Sequence, residues 1–258
     1  MNNYTKNHIE EQRNYTVVKS NTLVLNSRYQ YSLAQQRSIA YICSKIKPED
    51  GGNGYQLEYR LDISEYLQLL GVESNGYQYK LIKETLGALS DKSMWLPVED
   101  EDGAGEVLVR WLSNVVVYPK SGKIKIKLDE YLMPYLFGLK EKYLSYGLSN
   151  ILNFKSKYGI RLYEILKAQY DMMRSQQGKK RYETPVLEWV ISLEELKHRL
   201  MAEDYVNYKD FRIKVLETAQ RDINVLSDMH FEFEPICKGR KTVQVCFLIR
   251  FKELLERL

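Results

Sequence analysis

Residues 187–251 read LEWVISLEELKHRLMAEDYVNYKDFRIKVLETAQRDINVLSDMHFEFEPICKGRKTVQVCFLIRF, and this stretch decides the fold. Apolar residues alternate at its start, as in a half-buried strand. Ser192 with Glu195 three residues on forms a capping box that opens a short helix. Phe211, Val215, Ala219 and Ile223 then recur every fourth residue, which predicts one amphipathic helix over Tyr208–Leu226. Strands Met229–Ile236 and Thr242–Phe251 follow, joined by the basic turn Lys238-Gly239-Arg240-Lys241. Strand, short helix, longer helix and hairpin is the order of a winged helix, a helix-turn-helix with a β-hairpin attached.

The same order occurs once before. Residues 55–118 read YQLEYRLDISEYLQLLGVESNGYQYKLIKETLGALSDKSMWLPVEDEDGAGEVLVRWLSNVVVY. Ile63-Ser64 falls against Ile191-Ser192, Leu67 and Leu70 near Leu196 and Leu200, Tyr79-Lys80 against Tyr208-Lys209, and Lys83 against Arg212. Ser64 with Glu65 opens the short helix, which stops at Gly71. The longer helix, about Tyr77 to Leu89, buries Ile82, Leu86 and Leu89 and shows Lys80 and Lys83 on its other face. Strands Met94–Val98 and Val107–Val117 flank the acidic turn Glu99-Asp100-Glu101-Asp102-Gly103. Phosphates would repel that turn, so the first wing is expected to stay off DNA.

Working outward, Val17 to Leu23 reads as an opening strand or turn, and Leu33 to Ile46 as a helix with Ser32 as N-cap. Pro48 and Gly51–Gly54 break the chain. Lys123–Leu128 alternates Lys with Ile or Leu, a half-solvated strand. Short helical pieces fill 129–150. A long helix from about Ile151 to Met173 carries Tyr158, Leu162, Ile165 and Leu166 on one face and connects the modules. Ser175–Arg181 is a basic, linker-like stretch, and 252–258 a short closing helix. The expected class is α+β: two tandem winged-helix domains, 1–150 and 151–258, joined by a long helix that belongs to the second.

Composition narrows the partners. Net charge is only +4, with 18 basic and 18 acidic residues before position 151 and 20 basic and 16 acidic after it. Strong phosphate contacts must therefore come from local clusters. No apolar run approaches the roughly 20 residues that span a bilayer, and the polar N-terminus lacks a secretory signal. Cys43, Cys237 and Cys246 show no CxxC spacing; they read as core residues of a cytoplasmic protein, without structural zinc.

A helix-turn-helix sets its second helix in the major groove, where Arg and Lys bond guanine O6 and N7. Lys209, Arg212 and Lys214 supply that chemistry in the second module, and Lys80 and Lys83 in the first. A solvated helix face would show the same residues, but repetition of the whole pattern favours a groove-reading role. Lys238, Gly239, Arg240 and Lys241 suit a wing on the sugar–phosphate backbone. Lys155, Ser156 and Lys157, at the start of the long helix, are candidates for a further phosphate contact. Enzyme motifs are missing: Gly71-x4-Gly76 continues with Tyr77 where a P-loop needs Lys, and His8, His198 and His230 form no HxH or HExxH set. No catalytic residue, metal or cofactor is expected.

Several blocks resemble the iteron-binding plasmid replication initiator (Rep) proteins: VVKSNTL at 17–23, LSDKSMWL at 89–96, FKSKYGIRLYEIL at 154–166, ISLEELKHRL at 191–200, YKDFRIKVLETAQRDIN at 208–224 and the KGRKTVQVCFLIRF ending. The resemblance implies two winged-helix domains that bind direct repeats of double-stranded origin DNA, help open an adjacent AT-rich segment, and recruit the host initiator and helicase. It also implies dimers that repress their own gene and monomers that start replication. The implied DNA contacts fall on Lys209, Arg212, Lys214, Gly239 and Arg240; at Ile213 this chain has an apolar residue where the family often has a basic one. A winged-helix transcriptional repressor without a replication role is the alternative. A rolling-circle nicking enzyme is disfavoured by the missing HxH.

Overall fold

The computed structural model of this chain describes residues 15–47, 56–140, 142–176 and 186–252. The expected break at Pro48 and Gly51–Gly54, most of the basic stretch 175–181 and nearly all of the closing helix 252–258 lie outside them. The chain divides into two compact units, Met1–Leu152 and Asn153–Leu258.

The first unit opens with β1 (Thr16–Ser20) and α1 (Asn21–Asn26), so Val17 to Leu23 is a strand running straight into a helix. The Ser20 hydroxyl makes that junction by accepting the Leu23 N–H at 3.1 Å. Helix α2 (Leu33–Cys43) carries the expected Ser32 cap, completed as a box by Gln35. Next come β2 (Glu58–Asp62), α3 (Ile63–Leu69) and α4 (Gly76–Ser90). Asp62, not Ser64, caps α3: its carboxylate accepts the Ser64 and Glu65 N–H groups, and Ser64 already lies inside the helix. Ile82, Leu86 and Leu89 are buried on α4, as the periodicity predicts.

The predicted strand Val107–Val117 is two strands. Hairpin β3 (Ser93–Asp100) and β4 (Gly103–Arg110) forms a two-stranded sheet of its own. After it, β5 (Leu112–Tyr118) pairs with β6 (Lys123–Leu128), which pairs with β2 in a sheet of order β2-β6-β5. Trp111 and Leu112 are both buried. Two successive inward residues violate the alternation of a single pleated strand, so the chain changes sheet there. β6 is half-solvated as expected: Ile124, Ile126 and Leu128 are buried, while Lys123 and Lys125 pair with Asp62 and Glu58 on β2. Beyond it lie α5 (Met133–Leu136), β7 (Tyr143–Gly147) and α6 (Ser149–Leu152). β7 pairs antiparallel with β1; the expectation of only short helical pieces in 129–150 misses it.

The second unit begins with α7 (Lys157–Gln176). This helix starts six residues later than predicted, because Asn153–Ser156 forms a loop after α6. Every residue from Tyr158 to Ala168 is buried, so α7 is a core helix on all sides. It is followed by β8 (Leu187–Ser192), α8 (Leu193–Arg199), α9 (Tyr208–Phe211), α10 (Glu217–Leu226), β9 (Met229–Lys238) and β10 (Lys241–Phe251). Only half of the predicted capping box forms: Ser192 accepts the Glu195 N–H, but the Glu195 carboxylate pairs with Arg199. The predicted helix Tyr208–Leu226 is continuous but not all α, for a π-turn over Arg212–Leu216 joins α9 to α10. The sheet runs β8-β10-β9, and its inner face stacks Trp189 on Phe247 at 5.6 Å. Of the three cysteines only Cys43 is buried; Cys237 is exposed and Cys246 half-buried, so the core reading fails for two of them.

Candidate nucleic-acid interface

In the second unit the turn between the two helices is a Schellman motif. The Met201 N–H donates to His198 and the Ala202 N–H to Lys197, closing α8. Met201 takes φ +50 in this motif, the left-handed region that costs an L-residue with a side chain. The first unit builds the same turn with Gly71 at φ +69, its N–H donating to Gln68 and that of Val72 to Leu67.

Asn207 caps α9 by accepting the Asp210 N–H at 2.8 Å. Phe211, Val215, Ala219 and Ile223 all turn inward and are fully buried. An α-helix turns about 100° per residue, so inward positions spaced strictly by four would drift round its surface. The wider i→i+5 turn, Glu217 N–H to the Arg212 carbonyl, offsets part of that drift. It leaves Arg212, Ile213 and Lys214 as three successive exposed residues. Lys209 is also exposed and makes no ion pair among the described residues. Arg212 Nε lies 3.3 Å from Glu217 Oε1, and Lys214 Nζ 3.6 Å from Asp210 Oδ1. Asp210 is held below the ordinary carboxylate range by the Asn207 amide and by Lys214. Such exposed pairs are weak and screened by solvent and salt, so a phosphate or guanine edge can displace either acid.

Lys238 faces Lys241 across the end of the β9–β10 hairpin. Gly239 supplies the positive φ of +63 that a two-residue hairpin turn needs. All four residues from Lys238 to Lys241 are exposed. Like charges directly opposite on a hairpin are unfavourable, and an anion at the tip would relieve them. Tyr208, at the start of the recognition helix, is within electrostatic reach of Arg212 and of Cys237 on β9. Burial pushes the Tyr208 hydroxyl up in pKa, and Arg212 works against that shift.

Lys155, Ser156 and Lys157 are placed differently from the expectation of a helix-end anion site. Asp222 Oδ2 accepts the backbone N–H groups of Lys155 and Ser156 at 2.8 and 2.7 Å. The protein's own carboxylate fills the position a phosphate would take on those amides. Only the side chains remain available, and the Lys157 ammonium lies over the Tyr158 ring at 4.8 Å. Ser156 Oγ is 3.4 Å from Thr218 Oγ1, so this loop abuts the recognition helix beyond its reading end.

In the first unit Lys80 and Lys83 are exposed on α4, and Lys80 pairs with Glu84 at 3.7 Å. The match of Tyr79 with Tyr208 and of Lys83 with Arg212 agrees with the core, where Ile82 answers Phe211 and Leu86 answers Val215. Both tyrosine hydroxyls are buried without a hydrogen-bond partner among the described residues. The caps disagree by a turn, since Asn75 caps α4 four residues before Tyr79 while Asn207 immediately precedes Tyr208. At the short helices the match of Ile63-Ser64 with Ile191-Ser192 shifts by two: Asp62, not Ser64, corresponds to Ser192, and Glu65 to Glu195.

The wing of the first unit also needs correcting. The sheet β2-β6-β5 has the order of β8-β10-β9. Hairpin β5–β6 is therefore the counterpart of β9–β10, and the acidic β3–β4 hairpin is an insertion ahead of it. The tip at 119–122 carries exposed Lys120 and Ser121, with Gly122 at φ +64. Sequence pairing misses Lys120 because it takes the first hairpin after the helix as the wing.

Two helix-turn-helix units, each with a three-stranded sheet and wing hairpin, define a tandem winged-helix protein of mixed helix and sheet. A family model described as "Initiator Replication protein, WH1" matches residues 16–167, and a second, "Initiator Rep protein, WH2", matches 192–249. The chain belongs to this family of replication initiators. A curated replication initiation protein of Escherichia coli is 24% identical over 242 residues, 93% of this chain and 71% of that one. The crystal structure of Pi initiator protein in complex with iteron DNA superposes with a TM-score of 0.72 at 19% identity, covering 93% of this chain and 99% of that one. Among the described residues no helix is long and apolar enough to cross a membrane, and no group of three or more His, Cys, Asp or Glu is arranged to hold a metal ion.

Proposed function

We propose that this chain is a sequence-specific, double-stranded-DNA-binding initiator of plasmid replication, which binds direct repeats at an origin and promotes opening without catalytic chemistry of its own. The observation that carries the reading is the second unit's surface. Lys209, Arg212 and Lys214 stand on the exposed side of the helix, and Lys238, Arg240 and Lys241 crowd the wing tip. A recognition helix reads base edges while a wing grips the backbone. Family membership supports the initiator role, and the Pi initiator's complex with iteron DNA supports the repeats. The first unit contributes Lys80 and Lys83 and, at its β5–β6 tip, Lys120. The side chains of Lys155, Ser156 and Lys157 add a backbone contact.

The test is to place the gene with its flanking DNA on a replicon that lacks an origin, and to footprint the protein on the same DNA. Replication together with evenly spaced protected repeats is the expected result. Protection without replication in any plausible host would favour a repressor. Magnesium-dependent nicking of one strand would overturn the non-catalytic part.

A further inference from the structure

Ile213 occupies a position where no structural demand explains an isoleucine. It is 40% exposed in the reading half of the recognition helix, between Arg212 and Lys214. β-branched residues are poorer helix formers than Lys, Arg or Gln, so neither local propensity nor burial selects it. Ile213 lies inside the π-turn, and it is this turn that presents 212, 213 and 214 side by side. Glu217 and Asp210 brace the cations on either side of Ile213. The corresponding position in the first unit is Glu84, which is paired with Lys80.

In the major groove one base carries an apolar group, the thymine 5-methyl. We propose that Ile213 is a specificity-determining residue that packs on the 5-methyl group of a thymine while Arg212 and Lys214 engage polar edges or phosphates beside it. An isoleucine cannot be held in the groove by charge, so the flanking cations supply the attraction and Ile213 the discrimination. Removing a methyl from water is worth about a methylene-sized transfer, which corresponds to a change in affinity of about three- to fivefold. This inference rests on the proposed reading of duplex DNA.

The full-length protein first selects a motif from a pool of randomised duplexes. That duplex is then remade with each thymine in turn replaced by deoxyuridine, which lacks only the methyl group. Wild-type protein should lose about three- to fivefold in affinity at one thymine. Ile213→Ala should lose this sensitivity at that position alone, Ile213→Val should keep most of it, and thermal melting should show all three folded. If Ile213→Ala retains the same penalty, or wild type is indifferent to every replacement, the inference is overturned while DNA reading stands. If wild type selects no motif, sequence-specific reading falls and this inference with it.

Discussion

Arg212 lies 3.3 Å from Glu217 in an exposed pair, so its guanidinium is neither buried nor firmly committed. A planar fork left available in this way is suited to a guanine edge, where a bidentate contact discriminates by about 1–3 kcal/mol. Arg212→Ala should weaken binding to a selected duplex by about that amount and relax base preference at one position, measured by titrating selected and random duplexes in parallel. Equal loss on both would remove Arg212 from the base contacts. Met201 carries the other residue-scale expectation. Its left-handed conformation costs about 1–2 kcal/mol, and the first unit avoids this cost with Gly71. Met201→Gly should raise stability by about 1 kcal/mol after the added freedom of the unfolded glycine is counted. A denaturant midpoint that falls instead would show that Met201 packing outweighs the strain.

The element-scale contrast lies between the hairpins. The β9–β10 tip sets Lys238 against Lys241, whereas the β3–β4 tip runs Glu99 to Asp102. Lys241→Ala should weaken all duplexes alike and reduce the slope of log affinity against log salt by roughly 1. An unchanged slope would take Lys241 off the backbone. Elements with a single regular period are legible in the sequence: α4 buries Ile82, Leu86 and Leu89, and the recognition helix buries its four residues at a spacing of four. Where two rules meet, reading fails. Trp111 and Leu112 point inward in succession and split one apparent strand between two sheets. Asp62 overrides Ser64 as cap because it stands one residue outside the helix, where the orphan N–H groups point. The basic residues of the second unit are legible by type, while their restraint by Asp210, Glu217 and Asp222 depends on spacing that only the folded helix reveals.

At the scale of the whole molecule the two units share a topology but cap their short helices with different chemistry. Burial works against ionisation of Asp62, yet Lys123, the Ser64 hydroxyl and the Glu65 N–H outweigh it and hold the carboxyl at about 2, below its ordinary 3.8. A carboxyl depressed in the folded state adds stability above its unfolded pKa, and that stability is lost as pH falls toward the folded value. Ser192, the counterpart cap in the second unit, does not titrate. Asp62→Asn preserves a good capping residue and removes the charge. Wild type should therefore exceed this variant in thermal stability at neutral pH, and the gap should close between pH 3.8 and about 2. A gap that is constant across that window would mean that Asp62 acts through packing alone.

The π-turn over Arg212–Leu216 gives the recognition helix a residue to spare. A π-turn absorbs one extra residue without putting the two halves of a helix out of phase, because its five residues turn about as far as four of an α-helix. Deleting one exposed residue between Phe211 and Val215 would let the turn close to an ordinary α-helix and leave Lys209 facing nearly as before. What would go is the unbroken run of three exposed residues, Arg212, Ile213 and Lys214. The width of the face this protein shows to a partner is thus written in how many residues it has, as well as in which ones.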